Sequence, residues 1–154
     1  MKLKSIINKS TYGTMGYVNT QNDIDTLESY ILYNLPVINE FKEVVVATNY
    51  GSPLQDEMSK LWKKYFPNCI LIHSKVNRGH NHGYTDLENL LFDWCKENNR
   101  EWFCKVSNDI ILDSSILEKE VEKSDFYYMN GIGYGGMIPY NFDFEKIINE
   151  YFYP

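Results

Sequence analysis

The chain has 154 residues, a formal net charge of −6 and 44% hydrophobic residues. This length suits one globular domain of ordinary size. The negative charge argues against nucleic acid as the main partner, because a phosphate backbone is bound by a concentrated positive surface. No stretch approaches the roughly 18 consecutive apolar residues of a membrane span, and the N-terminal apolar run is too short for a signal peptide. We therefore expect one cytoplasmic domain over residues 1–154, with no membrane span.

The cysteines and aromatic residues narrow the class of protein further. Cys69, Cys95 and Cys104 lie in apolar stretches, and their odd number and wide spacing fit neither a disulfide framework nor a zinc site. They are predicted to be buried thiols in a reducing compartment. Aromatic residues make up 16% of the chain, with thirteen tyrosines. Flat amphipathic rings suit either sugar stacking or a subunit interface, so a homo-oligomer stays open.

The first forty residues predict a strand, a loop and a helix. Residues 3–8 are a short apolar run, typical of a first strand, and residues 9–16 carry the glycines and hydroxyls of a loop. From Asn22 or Asp23, apolar residues recur with the period of a helix. Pro36 is expected to end or kink that helix.

The rest of the chain alternates strand and helix patterns. Residues 43–49 form a β-branched apolar run, typical of a strand buried on both faces of a parallel sheet. Alternation of this kind predicts an α/β fold, a single domain with a mostly parallel sheet flanked by helices. The predicted strands are 43–49, 69–73 (also buried), 102–106 and 126–129, and the predicted helices are 53–66, 84–97 and 116–123.

Polar residues collect where the predicted strands end. These segments are residues 8–12, 48–52, 74–83 and 107–109. In an open parallel sheet, ligands bind at the carboxyl ends of the strands. Any site of this protein is therefore expected among these four segments.

Two of these segments resemble motifs of family 2 glycosyltransferases, which have the GT-A fold. Residues 43–52 are similar to the family's hydrophobic second strand ending in Asp-Asp-Gly-Ser, with Thr48 and Asn49 in the two acidic positions. The sequence Asn77-Arg78-Gly79 resembles the family's Asn-x-Gly segment, which precedes a helix near the diphosphate.

A third motif follows in the expected order and spacing. Residues 105–112 resemble the strand that ends in the metal-binding Asp-x-Asp motif, with Ser107 in the first acidic place and Asp109 in the last. The resemblance extends over roughly residues 4–123 and depends on these three motifs. The resemblance implies a Rossmann-like, nucleotide-binding GT-A domain that transfers a sugar from a nucleotide-sugar donor, a UDP-sugar, to a hydroxyl acceptor.

The resemblance also implies a metal site. Asp109, with Asn108 beside it, is the candidate ligand for Mn²⁺ or Mg²⁺, which would neutralise the charge that develops on the leaving diphosphate. The same two residues also suit an ordinary turn, whose side chains bond the local backbone.

The remaining candidate residues would contact the donor. Thr48, Asn49 and Tyr50 suit a uracil-like base, through an amide and a stacking ring, although Asn-Tyr-Gly-Ser is also a common turn. Asn77, Arg78 and Gly79 would lie near the diphosphate, which the Arg78 guanidinium can clasp in bidentate fashion. A solvated surface arginine is the alternative for Arg78.

Other polar residues receive no role. His80 and His82 lack a third ligand nearby, so they are expected to contact ligand or solvent. The glycine-rich residues 131–136 are read as a lid, a bend or a close approach to a sugar. Asp125, Asp143 and Glu145 are the downstream acids, and none is assigned as the base.

The alternative function is an inactive nucleotide- or sugar-binding module. It is favoured because positions 48, 49 and 107 lack the acidic residues of the family motifs.

Overall fold

A six-stranded sheet forms the centre of the protein. The structure, a computed structural model, describes residues 2–100, 102–108, 110–112, 114–118, 120, 127–131 and 133–139. The strands follow the order β3-β2-β1-β4-β6-β5, in which the first four are parallel and β6 and β5 are antiparallel additions at one edge. The strands are β1 (Thr11–Gly16), β2 (Glu43–Thr48), β3 (Ile70–His73), β4 (Trp102–Ser107), β5 (Tyr127–Gly131) and β6 (Gly133–Pro139).

Helices cover both faces of the parallel strands. Along β2, Val44 and Val46 join a core cluster with one set of helices, while Val45 and Ala47 pack in a second cluster under a single helix. This alternation follows from the two-residue period of a strand. The first face carries α1 (Leu3–Ile7), α2 (Gln21–Ile38), α3 (Gln55–Tyr65) and the 3₁₀ helix Ser114–Glu118, and the second carries α4 (Gly79–Glu97).

The predicted fold class is confirmed. The described residues form a small α/β unit with four parallel strands between two layers of helices. The three cysteines are buried as predicted, none of them forms a disulfide within the described residues, and burial raises the pKa of the Cys95 thiol to about 12. Among the described helices, none combines the length and the apolarity needed to cross a bilayer.

The start of the chain differs from the prediction. Residues 3–8, predicted as a strand, contain helix α1, and residues 9–16, predicted as a loop, contain the central strand β1. Leu3, Ile6 and Ile7 lie on one buried face of α1, which only a helical period brings together. In β1, a glycine is needed because the Phe103 ring occupies the space of a side chain: its Cε2 lies 1.9 Å from where a Cβ of Gly13 would be.

Three helices and strands differ in detail from the predictions. Helix α4 begins at Gly79, so residues 79–83 are its first turns rather than an irregular break. Pro36 lies inside α2, which continues to Ile38 because Val37 and Ile38 are fully buried. Strand β3 is an edge strand, half-buried along most of its length, rather than buried on both faces.

The C-terminal part differs as well. A 3₁₀ helix spans Ser114–Glu118 where an α-helix was expected to begin at 116, and residues 119 and 121–123 of that predicted helix lie outside the described residues. The glycine-rich residues 131–136, read as a lid or bend, belong to the β5–β6 hairpin, and β6 pairs with β4. Asp125, Asp143 and Glu145 lie outside the described residues.

Candidate functional site

A cleft opens at the carboxyl ends of the parallel strands. From β1 the chain proceeds outward to β2 and β3, and then returns to place β4 on the other side of β1. At such a switch point the connections leave in opposite directions, so a crevice forms there. The cleft measures about 560 Å³. Its lining residues are Met15, Gly16, Tyr17, Asn49, Asn77, Gly79, Tyr84, Leu87, Ser107 and Asn108.

The end of β2 contributes an unusual amide. Asn49 is only 6% exposed, lines the cleft, and has a buried Oδ1 atom with no hydrogen-bond partner. A buried polar atom without a partner is costly and calls for an explanation. Asn49 therefore brings a buried acceptor without a protein partner to the wall of the cleft.

The residues on either side of Asn49 do not line the cleft. Thr48 is buried and its Oγ1 also lacks a partner, but it is absent from the lining of the cleft. Tyr50 is 67% exposed and is likewise not a lining residue. Of the three residues predicted to contact the base, the structure brings only Asn49 into the cleft.

The loops after β1 and β2 are joined by a serine. The Ser52 hydroxyl accepts a hydrogen bond from the backbone N–H of Val18 at 3.1 Å and donates one to the Val18 carbonyl oxygen at 2.9 Å. Ser52 is the last residue of the second-strand motif. Its side chain fixes the spacing between two walls of the cleft and contacts no lining residue through these bonds.

The start of α4 forms a third wall. The Asn77 side-chain oxygen accepts the backbone N–H of Gly79 at 3.0 Å. Gly79 has a φ of +82°, a conformation that glycine adopts without strain. Gly83, one turn later, leaves room for the Asn49 amide, whose Nδ2 lies 3.0 Å from where a Cβ of Gly83 would be.

Arg78 points to a partner on its own helix. Its guanidinium makes a bidentate contact with the Asp86 carboxylate, including an Nε–Oδ2 bond of 2.8 Å. Hydrogen bonds from Arg78 lower the pKa of Asp86 below its ordinary value. Arg78 is exposed and is not among the residues that line the cleft, which agrees with the alternative of a surface arginine, here paired with Asp86.

Tyr84 and Ser107 form the fourth wall, and the sequence did not predict a role for Tyr84. The two hydroxyls lie 2.9 Å apart. The ammonium of Lys105 lies 4.8 Å from the centre of the Tyr84 ring and pairs with Glu88. Burial alone would lower the pKa of Lys105, but its bonds with Glu88 and Tyr84 outweigh burial and raise that pKa. The cation therefore stays charged and holds the ring in place.

Asn108 lines the cleft beside Gly16. Its Nδ2 lies 2.6 Å from where a Cβ of Gly16 would be, so a larger residue at position 16 would displace the amide. Asp109, the predicted metal ligand, lies outside the described residues, as does the side chain of His80. His82 is exposed. Within the part of the chain that the structure describes, no three His, Cys, Asp or Glu side chains cluster as metal ligands.

Sequence reasoning missed Met15, Gly16, Tyr17, Tyr84 and Leu87. The first three follow from the misplaced first strand: once residues 11–16 form β1, residues 15–17 are its carboxyl end. The sequence feature that could have indicated a strand end at the cleft is Gly16, which is followed by Tyr17. Tyr84 and Leu87 lie on a helix, and only the start of that helix at Gly79 brings them to the cleft.

Comparisons with known proteins give little further information. No family model matches the sequence, and no curated protein matches it. One solved structure that is similar in part is titled "PaToxG Glycosyltransferase", with 12% sequence identity and a TM-score of 0.28. The match covers 69% of this chain and 44% of that one, so this chain spans less than half of that structure. A TM-score this low does not establish a shared fold.

Proposed function

We propose that the cleft binds a nucleotide sugar, a UDP-sugar, and that the protein transfers the sugar to a hydroxyl acceptor. One observation carries the proposal. Four residues from three separate motifs line the same cleft at the switch point of the sheet: Asn49, Asn77, Gly79 and Asn108. Residues up to 59 positions apart in the sequence meet there because their motifs end neighbouring strands, at the place where open α/β sheets bind ligands, nucleotides among them.

The base would bind against Asn49. Its unpartnered Oδ1 needs an N–H donor, and the ring of uracil offers one. Tyr17 and Tyr84 line the same cleft and are 46% and 36% exposed, so their rings are available for stacking. The lining therefore suits a flat, hydrogen-bonding group.

The diphosphate would lie at the start of α4. The first N–H groups of a helix have no partner within the helix and favour anions. Asn77 and Gly79 put this helix end in the cleft wall. Arg78 would contact the phosphates only by leaving Asp86, and an exposed ion pair of this kind is weak.

The metal would depend on Asp109. The described lining offers amide and hydroxyl oxygens from Asn49, Ser107 and Asn108, and Mg²⁺ or Mn²⁺ binds through at least one carboxylate as a rule. The ion would neutralise the charge on the leaving diphosphate. In the transfer, the bond from the anomeric carbon to the diphosphate oxygen breaks, a bond to the acceptor oxygen forms, and the acceptor hydroxyl loses its proton. No residue is assigned as the base.

Calorimetric titration with UDP, with and without Mn²⁺, tests this function. The wild-type protein should bind UDP, and Mn²⁺ should tighten binding. Asp109→Ala should remove the effect of Mn²⁺, whereas Asp25→Ala, a change of an exposed carboxylate on α2, should leave it intact. Failure of UDP and of other nucleoside diphosphates to bind the wild type would refute the proposal.

A second candidate is a binding module without turnover. Thr48, Asn49 and Ser107 stand where the resembled family has acids, and none of the described lining residues carries a carboxylate. The two candidates differ in one assay. Release of UDP from UDP-glucose or UDP-N-acetylglucosamine in the presence of Mn²⁺ would support the transferase. UDP binding without any such release would support the module.

A further inference from the structure

A buried amide on α2 contacts the segment that follows β4. Asn34 is only 3% exposed and lies on the core-facing side of α2. Its Nδ2 donates to the carbonyl oxygen of Ile110 at 2.6 Å, and its Oδ1 accepts the backbone N–H of Leu112 at 2.6 Å. One side chain thus pairs two backbone groups that are 76 and 78 residues away in the sequence.

This arrangement has a clear physical reason. Strand β4 ends at Ser107, so the following backbone groups lose their partners in the sheet while Ile110 and Leu112 remain buried. Buried backbone groups without partners are costly. An asparagine side chain has both a hydrogen-bond donor and an acceptor. It can therefore bond the two backbone groups that a neighbouring strand would otherwise pair.

The anchored segment continues directly from the cleft. The backbone N–H of Ile110 bonds to the carbonyl oxygen of Ser107 at 3.3 Å, which closes a turn over residues 107–110. Asn108, within this turn, lines the cleft and also borders a small cavity of about 10 Å³ that Asn34 borders. The anchor and the cleft residue are therefore neighbours across one gap.

We infer that Asn34 is a positioning residue of the candidate site: it fixes the turn that carries Asn108 to helix α2. The effect of Asn34 on ligand binding rests on the proposed function. Asn34 itself contacts no ligand and acts through the turn. Without Asn34, the described hydrogen bonds of the turn reduce to the internal one, and Ile110 and Leu112 keep only their apolar packing against α2.

Amide hydrogen exchange and UDP titration test the inference together. Asn34→Leu keeps the size of the side chain and removes both hydrogen bonds, so exchange at Leu112 and in the turn should rise, and UDP affinity should fall, each by about tenfold. Val37→Ala is the matched control, because Val37 is fully buried on the same helix and borders neither cavity. It should lower the melting temperature without changing exchange in the turn or UDP affinity.

A second variant covers the case in which Asn34→Leu does not fold. In Asn34→Asp the buried carboxylate cannot donate to Ile110, but the protonated acid can donate and accept as the amide does. Burial raises the pKa of such a group, so its contribution is present at low pH and is lost as pH rises through that pKa. UDP affinity relative to the wild type should recover as pH falls.

The outcomes separate this inference from the proposed function. If the wild type does not bind UDP, the proposed function fails, and the exchange measurement alone decides the role of Asn34. Unchanged exchange over residues 107–112 in Asn34→Leu would overturn the inference. An equal loss of UDP affinity in Val37→Ala, or no recovery of Asn34→Asp at low pH, would also overturn it.

Discussion

Two buried side-chain oxygens without partners have different surroundings. Asn49 Oδ1 lies at the wall of the cleft, while Thr14 Oγ1 lies on a strand in the fully buried centre of the sheet. A buried polar atom without a partner costs about 1–3 kcal/mol. Folding gains nothing from the unpaired Asn49 oxygen, whereas a hydrogen bond from a ligand would satisfy it. This contrast connects Asn49 with binding.

The first prediction concerns Asn49→Leu. Leucine is similar in size and leaves no unpaired oxygen, so the free energy of unfolding should stay the same or rise. UDP affinity should fall by about tenfold, because a hydrogen bond to the ligand is lost. Thermal unfolding and calorimetric titration measure the two effects on the same sample.

Thr14→Val is the control for Asn49→Leu. It also removes an unpaired buried oxygen, keeps the shape of the side chain, and changes no lining residue of the cleft. It should stabilise the protein similarly and leave UDP affinity unchanged. Equal weakening of UDP binding by both variants would mean that Asn49 has no direct contact with the ligand.

At the residue scale, the sequence predicted the asparagines that line the cleft better than its apolar and aromatic lining residues. Asn49, Asn77, Gly79 and Asn108 were predicted because short motifs carry their identity and spacing. Thr48 and Tyr50 do not line the cleft because consecutive residues at a strand end point in different directions, and of the three only Asn49 is a lining residue. Neither side-chain direction nor exposure is readable from a motif.

Among the elements, α4 comes closest to the strand ends of the cleft. Its contact with β2 depends on Gly83, which is buried and leaves room for the Asn49 amide. Glycine in a helix interior is less favourable than alanine by about 1 kcal/mol. The helix thus contains a residue that lowers its own stability at the point nearest to Asn49.

The second prediction concerns Gly83→Ala. The added Cβ would lie 3.0 Å from Asn49 Nδ2, which must shift by a few tenths of an ångström. The gain in helix propensity should offset this contact to within about 1 kcal/mol, so stability should change little. UDP affinity should fall several-fold, about as expected for a weakened hydrogen bond.

Asp93→Ala on the same helix provides the comparison. Asp93 is exposed and its replacement by alanine also favours the helix, but it lies away from the cleft lining. This variant should retain full UDP affinity. Retention of full affinity by Gly83→Ala as well would show that the approach of α4 to Asn49 does not matter for binding.

The start of α2 shows how local signals fix an element. Asp23 accepts hydrogen bonds from the backbone N–H groups of Asn19 at 2.9 Å and Thr20 at 2.8 Å, and the Thr20 hydroxyl accepts the N–H of Asp23. This is a capping box, formed here by an aspartate. The bond from the Asn19 N–H, followed by that from Thr20, lowers the pKa of Asp23.

The third prediction concerns Asp23→Ala across pH. Because the folded-state pKa of Asp23 is lowered from 3.8, its contribution is present above that pH and is lost as pH falls through the lowered value. Asp23→Ala should therefore be less stable than the wild type at pH 7, and the gap should close below pH 3.8. Urea unfolding of both proteins at pH 7 and below pH 3.8 measures this difference in stability. A difference that persists in strong acid would contradict the capping role.

Elements with consistent local signals were predicted, and those set by distant contacts were not. Strands β2 and β4 follow from their apolar runs. Strand β1 has two glycines and two threonines in six residues, yet it is buried throughout because neighbours on both sides cover it. The last turn of α2 continues past Pro36 for a similar reason, since the core holds Val37.

For the molecule as a whole, the strand order decides where a ligand can bind. Alternating strands and helices predicted the α/β class, but the order β3-β2-β1-β4 depends on which strands pair across the chain. The switch point beside β1 creates the cleft, and it brings together residues from four segments. Sequence reasoning named most of these segments without locating the shared cavity.

The most direct test of the account is the location of UDP binding on the protein. Titration of ¹⁵N-labelled protein with UDP should shift the side-chain amide signals of Asn49, Asn77 and Asn108, which line the cleft. The signals of Asn39 and Asn68, which are exposed away from it, should not move. This pattern would confirm the cleft as a nucleotide site. Saturating UDP with no shift, or with shifts only at the exposed amides, would contradict it.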